Sequence, residues 1–111
     1  MAFTLDFVRL FLWDILYASP VLLFLVVLIC AIGLMIAKIE GWSRFDGIYH
    51  AFINATTVGY GDIRPTKASA KVLAIALALI GIIFAGLIVA IALHAAENTF
   101  AEVYDTGRLL N

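Results

Sequence analysis

Two long stretches of this sequence carry no charged side chain, and they constrain the fold more than any other feature. Ile15 to Ala37 runs for 23 residues without Asp, Glu, Lys or Arg, and Val72 to Ala96 does the same for 25. As a helix, the first run would rise about 34 Å at ~1.5 Å per residue. That length crosses a ~30 Å hydrocarbon core with modest tilt. Trp13 and Tyr17 stand at one end of this run and Trp42 at the other, as interfacial anchors do. Gly81 and Gly86 interrupt the second run.

Composition agrees with a lipid solvent. Hydrophobic residues make up 65% of the 111 residues and charged residues 14%, too few to clothe a soluble domain. The net charge of −1 offers no basic stripe to nucleic acid. Cys30 is the only cysteine, which rules out an intrachain disulfide, and it reads as a small apolar helix residue. No nucleophile–base pair or metal-binding cluster is visible, so neither an enzyme nor a cofactor is expected.

The segments around the spans read differently. In residues 1–14, Phe3, Phe7, Leu10 and Phe11 recur at helical spacing, with Asp6, Arg9 and Asp14 at other positions. This suggests an amphipathic helix lying on the membrane surface. Ser19-Pro20 looks like a cap followed by a first-turn proline, and predicts a helix start or a kink. A cleaved signal peptide is not expected, because the apolar stretch is too long and no small-x-small site follows it. Residues 98–111 turn polar and read either as the fraying end of the second helix or as a stub leading to a further domain.

Residues 38–71 should be a polar hairpin loop, yet they contain a shorter apolar segment. Ser43-x-x-Asp46 resembles a capping box with Asp in place of Glu. Phe45, Ile48, Tyr49, Phe52 and Ile53 then keep helical spacing up to Ala55. A helix over 43–55 is too short to span, so a re-entrant helix is the natural reading. It leads straight into Thr56-Thr57-Val58-Gly59-Tyr60-Gly61-Asp62. Non-helical backbone at membrane depth is tolerated only where protein buries it or a water-filled path adjoins it. Two glycines one residue apart permit torsions that turn successive carbonyls to one side.

The run Thr57-Val58-Gly59-Tyr60-Gly61, followed by Asp62 and set between two spans, resembles the signature of the small two-span prokaryotic potassium channels. The resemblance covers roughly residues 15–98 and is dense in motif only over 43–66. It implies an all-α membrane protein in which two transmembrane helices flank a re-entrant pore helix and filter loop, assembled as a four-fold homotetramer in a lipid bilayer. The implied parts are an interfacial helix (1–14), an outer helix (15–39), a pore helix (43–55), a selectivity filter (56–62), an inner helix (67–98) and a cytoplasmic tail (99–111). The carbonyls of Thr57, Val58, Gly59 and Tyr60 would line the K⁺ sites, with the Thr57 hydroxyl adding ligands at the innermost one. Gly61, Asp62, Tyr49 and His50 would support the filter. Tyr49 is expected to hydrogen-bond Asp62, and His50 to approach Tyr60 of a neighbouring subunit; the alternative for His50 is simple packing. Some relatives carry an acid where this chain has Ile53, so acid-dependent filter inactivation should be weak or different.

The resemblance also places a gating hinge at Gly81, with Gly86 as a second candidate, although close helix packing would equally call for small residues there. Ala85, Val89, Ala90 and Leu93 are the candidates for a narrow inner gate. His94 and Glu97, three apart, read as a polar pair at the water boundary, with pH sensing as the alternative.

Orientation carries a conflict. Lys38, Arg44, Arg64, Lys67 and Lys71 crowd the linker, whereas the terminal segments hold only Arg9 and Arg108. The positive-inside rule would put the linker in the cytoplasm. The family puts both termini there, in the cell membrane, and that placement is followed. Selective passive K⁺ conduction is the leading function. A weakly selective cation channel and a non-conducting membrane scaffold are the alternatives. The absence of an arginine-rich helix leaves no ordinary voltage sensor. The chain is either a complete small channel or the pore of a longer protein with a cytoplasmic regulatory domain.

Overall fold

The computed structural model describes residues 2–106, with side chains to Glu102. Three helices follow one another: α1 (Ala2–Glu40), α2 (Arg44–Ala55) and α3 (Ala68–Thr106). No strand occurs among the described residues. Both α1 and α3 are long and apolar enough to cross a membrane. At 39 residues each, they rise about 58 Å, nearly twice a ~30 Å hydrocarbon core. The charge-free runs fit that core, and the charged ends extend past it. By contrast, α2 has 12 residues and reaches only ~18 Å.

Two boundaries differ from the sequence expectation. Residues 2–14 do not form a separate element: α1 continues through Ser19-Pro20 to Glu40 without a break. Proline removes one hydrogen bond from a helix interior. Once nucleated, a long helix loses little cooperativity from that single gap. Likewise, α3 does not stop near residue 98. Asn98, Thr99 and Phe100 stay helical, and the element runs to Thr106. Residues 107–111 of the expected tail lie outside the described residues.

The chain divides into two compact units, residues 21–86 and the two terminal stretches taken together. In the terminal unit the Phe3 and Phe100 rings meet at 4.7 Å. Arg9 donates to both carboxylate oxygens of Glu102, at 3.3 and 3.4 Å. Buried Thr99 returns its hydroxyl to the Ala95 carbonyl at 2.7 Å, the usual way a helix absorbs a buried threonine.

In the central unit each helix end has a local cause. A glycine closes α1: Gly41 takes φ +76, and the Trp42 amide bonds the Ala37 carbonyl at 2.9 Å, a Schellman stop. The Ser43 hydroxyl caps α2 by accepting from the Asp46 amide at 3.1 Å, as the capping box predicts. The core is small. Ile29, Ile32 and Ile36 of α1 meet Ala51 and Ala55 of α2 and Ala70 and Leu77 of α3. Outside it, Leu23, Phe24, Val27, Val72, Ile75 and Leu79 remain exposed, a surface suited to lipid or to other subunits.

Close approach, more than area, holds α1 to α2. A methyl group on Gly33 would lie 2.7 Å from both the Ala51 Cβ and the Gly47 carbonyl oxygen. One on Gly47 would lie 2.6 Å from the Ala37 Cβ and 2.7 Å from the Gly33 oxygen. The crossing is therefore reciprocal: Gly33-x-x-x-Ala37 against Gly47-x-x-x-Ala51. Small residues matter here because lipid gives two apolar helices no hydrophobic reason to associate, and only tight packing does. Gly47→Val should destabilise the protein by about 1–3 kcal/mol, the usual cost of overpacking. Thermal unfolding in detergent would register this as a lower midpoint, and an unchanged midpoint would refute the crossing.

Candidate functional site

Residues 56–62 leave α2 through a turn and form an irregular, exposed segment. Its backbone alternates. Thr57 (φ 65), Gly59 (φ 59) and Gly61 (φ 78) occupy the left-handed region. The glycines adopt it without strain, whereas a β-branched residue such as Thr57 does so at a cost of order 1–3 kcal/mol and needs compensation. That compensation comes from the end of α2, where a helix leaves carbonyls unpaired. The Phe52 carbonyl accepts the Thr56 amide at 2.9 Å and its hydroxyl at 2.6 Å. The Asn54 carbonyl accepts the Thr57 amide at 3.1 Å. The Ile53 carbonyl accepts two amides, from Val58 at 3.1 Å and Gly59 at 3.2 Å. The donors of the segment are thus drawn back onto α2. Among the described residues, no protein donor reaches the carbonyls of Thr57, Val58, Gly59 or Tyr60.

The far side is braced as well. The Tyr49 hydroxyl donates to Asp62 at 3.0 Å, the bond expected from the sequence. That carboxylate holds the phenol above its ordinary pKa of 10.0, so Tyr49 remains a donor at neutral pH. His50 is buried, and its Nδ1 pairs with the Ile63 carbonyl at 3.0 Å. Because a carbonyl only accepts, Nδ1 carries the proton and a neutral ring presents Nε2 as a bare acceptor. That Nε2 is buried with no hydrogen-bond partner among the described residues. Trp42 packs edge-on against the ring at 5.3 Å. The Tyr60 side chain is 71% exposed.

Three polar links were not visible in the sequence. Glu40, the last residue of α1, accepts the amides of Thr66 and Lys67 at 2.7 Å each and the Thr66 hydroxyl at 2.9 Å. Lys67 in turn donates its ammonium to the Ile39 carbonyl at 2.8 Å. The end of α1 and the start of α3 therefore satisfy each other's orphan groups. The third link joins the Asn54 side-chain amide to the Ala74 carbonyl of α3 at 3.0 Å.

The hinge and gate candidates are placed as follows. Gly81 is buried, and a methyl group there would strike the Ala55 backbone. Its smallness is needed for α3 to pass the end of α2, and α3 runs through it without interruption. Gly86 has open space around it. Ala85, Val89, Ala90 and Leu93 are all exposed. The His94 ring nitrogen lies 3.1 Å from the Asn98 amide, so its partner is Asn98 and not Glu97.

Two apolar spans, a short helix between them and a segment with its carbonyls left free define a pore-loop membrane protein. The chain belongs to the ion channel family, whose model matches residues 21–98, well over half of it. A 50-residue stretch is 42% identical to TWiK family of potassium channels protein 7 of Caenorhabditis elegans, covering 45% of this chain and 9% of that protein. A 40-residue stretch is 50% identical to a voltage-gated potassium channel of Aeropyrum pernix, covering 36% of this chain and 14% of the relative. Potassium channel subfamily K member 12 of Homo sapiens is 35% identical over 48 residues, 43% of this chain and 11% of that protein. The matched stretches thus span only a small fraction of the relatives' length. No solved structure matches the chain.

Glu40 makes the stability of the linker pH-dependent. The Lys67 amide, with the Thr66 amide and hydroxyl, pulls its carboxyl below the ordinary 4.5 against a smaller opposing effect of desolvation. A lowered carboxyl contributes stability that is fully present above the unfolded value and lost as pH falls through the folded one. The thermal midpoint of the purified protein should therefore decline below pH 4.5, and Glu40→Gln should flatten that part of the decline. Parallel profiles for the two proteins would show that the carboxylate carries none of it.

Proposed function

We propose that this chain is one subunit of a homotetrameric potassium channel that conducts K⁺ passively and selectively across a lipid bilayer. The observation that carries the reading is the segment Thr57–Tyr60. The amides of Thr57, Val58 and Gly59 are spent on the end of α2, the carbonyls of Thr57–Tyr60 meet no donor among the described residues, and left-handed residues alternate along it. Four such segments around an axis would stack rings of carbonyl oxygen that replace the hydration shell of K⁺, with the Thr57 hydroxyl adding to the innermost ring. One chain supplies a quarter of each ring, so closed cyclic assembly is required.

Two further features support assembly. The buried, partnerless His50 Nε2 can accept a hydrogen bond, and the exposed Tyr60 hydroxyl of an adjacent copy can donate one. The apolar faces of α1 and α3 exceed what the small core covers. Stretches of 40 to 50 residues of this chain are similar to the potassium channels named among the relatives. Both termini lie on the cytoplasmic side in this reading, and Ala85, Val89, Ala90 and Leu93 face a neighbour or the pore.

Purified protein in liposomes should take up K⁺ down a gradient while Na⁺ stays near background. Gly61→Ala should abolish that preference, because a side chain at φ +78 costs about 1–2 kcal/mol in every subunit. Equal K⁺ and Na⁺ flux would identify a weakly selective cation channel instead. No flux of either ion would identify a scaffold.

A further inference from the structure

Asn54 stands where three elements meet. It is the penultimate residue of α2. Its backbone carbonyl accepts the Thr57 amide at 3.1 Å, and its side-chain amide donates to the Ala74 carbonyl of α3 at 3.0 Å. The next residue, Ala55, lies against Gly81. Ala74 and Gly81 are two turns apart on one face of α3, with the fully buried Leu77 between them.

The Ala74 carbonyl lies inside a helix and is already used by the helical ladder, so the Asn54 amide takes its second lone pair. Nothing in the regular structure demands that bond. It places a polar side chain among apolar neighbours, which is tolerated only when it is satisfied. Asn54 also borders a cavity of about 240 Å³, shared with His50, Ile53, Gly59 and Ala74. Packing alone leaves room for the base of the filter to shift, and the hydrogen bond removes that freedom toward α3.

We propose that Asn54 is a positioning residue that ties the first carbonyl ring of the filter to the inner helix. The path is short: the Ala74 carbonyl to the Asn54 side chain, then the Asn54 carbonyl to the Thr57 amide. Where α3 stands at Ala74–Gly81 then fixes how tightly the Thr57 ring closes. Preference for K⁺ over Na⁺ and persistence of the current both follow from that spacing. The inference rests on the potassium-channel reading above and adds to it a structural reference point for the filter.

The test uses the whole protein in planar bilayers, with the K⁺/Na⁺ permeability ratio and the rate of current decay as readouts. Asn54→Leu keeps approximate shape and deletes the donor. It should lower the ratio or hasten decay by about three- to tenfold, the weight of one hydrogen bond. Asn54→Gln keeps the amide, the cavity accepts its extra methylene, and it should behave as wild type. Asn54→Asp gives a signature that a purely structural role would not. Its protonated carboxyl can donate to Ala74, whereas the ionised form repels that carbonyl. This variant should match wild type at acid pH and diverge toward Asn54→Leu as pH rises. If Asn54→Leu fails to assemble, Asn54→Asp assembled in acid and then shifted upward in pH supplies the same comparison. A conducting wild type whose donor-less variants share its ratio and decay at every pH overturns this inference alone. A wild type that passes no K⁺ overturns both readings.

Discussion

Everything in the central unit depends on where the backbone donors of residues 56–59 go. A peptide group deep in a membrane protein has no bulk water to satisfy it, so its hydrogen bonds must be found within protein or along an aqueous path. A helix end supplies surplus acceptors, because its last carbonyls have no amide ahead of them. Here Phe52, Ile53 and Asn54 supply three such carbonyls, and they absorb the amides of Thr56, Thr57, Val58 and Gly59. Donors and acceptors of the segment are thereby separated in space. That separation turns an irregular loop into a candidate ion site, since a cation needs the acceptors and is repelled by the donors. It also explains why the short helix must end immediately before the segment.

The sequence revealed this arrangement unevenly, for physical reasons. Spans show as charge-free runs because lipid penalises every charge along them. Ser43 and Asp46 announced the start of α2 because a cap is a local bond between near neighbours. Gly59 and Gly61 betrayed left-handed torsions because few other residues adopt them at ease. Thr57 gave no such signal, since threonine ordinarily avoids φ > 0 and here follows the bonds on either side of it. Glu40 and Asn54 were equally silent. Their partners lie 26 and 20 positions away in sequence, and no periodicity connects a carboxylate at one helix end with the first amides of another. Pro20 shows the opposite case: its local preference favours a helix start, yet α1 continues through it.

Gly81 shows how two physical roles can share one residue type. A glycine in a long helix loosens the backbone and also permits another backbone to approach. The contact with Ala55 accounts for Gly81 through the second role, and the unbroken course of α3 adds no sign of the first. Gly86 has no such neighbour, so close packing within the chain does not explain it. The two glycines therefore differ in kind although they look alike in sequence.

Because apolar faces give helices in lipid little reason to choose one partner or register over another, specificity falls to small residues and to a few polar ties. Each tie in the central unit joins α3 or the linker to a different element. Glu40 and Lys67 lock the end of α1 to the start of α3. Tyr49 and His50 hold Asp62 and Ile63 to α2. Asn54 holds the end of α2 to α3. Together they hold residues 56–62 at either end and at their base, while the carbonyls of residues 57–60 stay without a donor among the described residues. In the reading proposed above, identical copies complete that face of the segment, because no donor among the described residues meets its carbonyls.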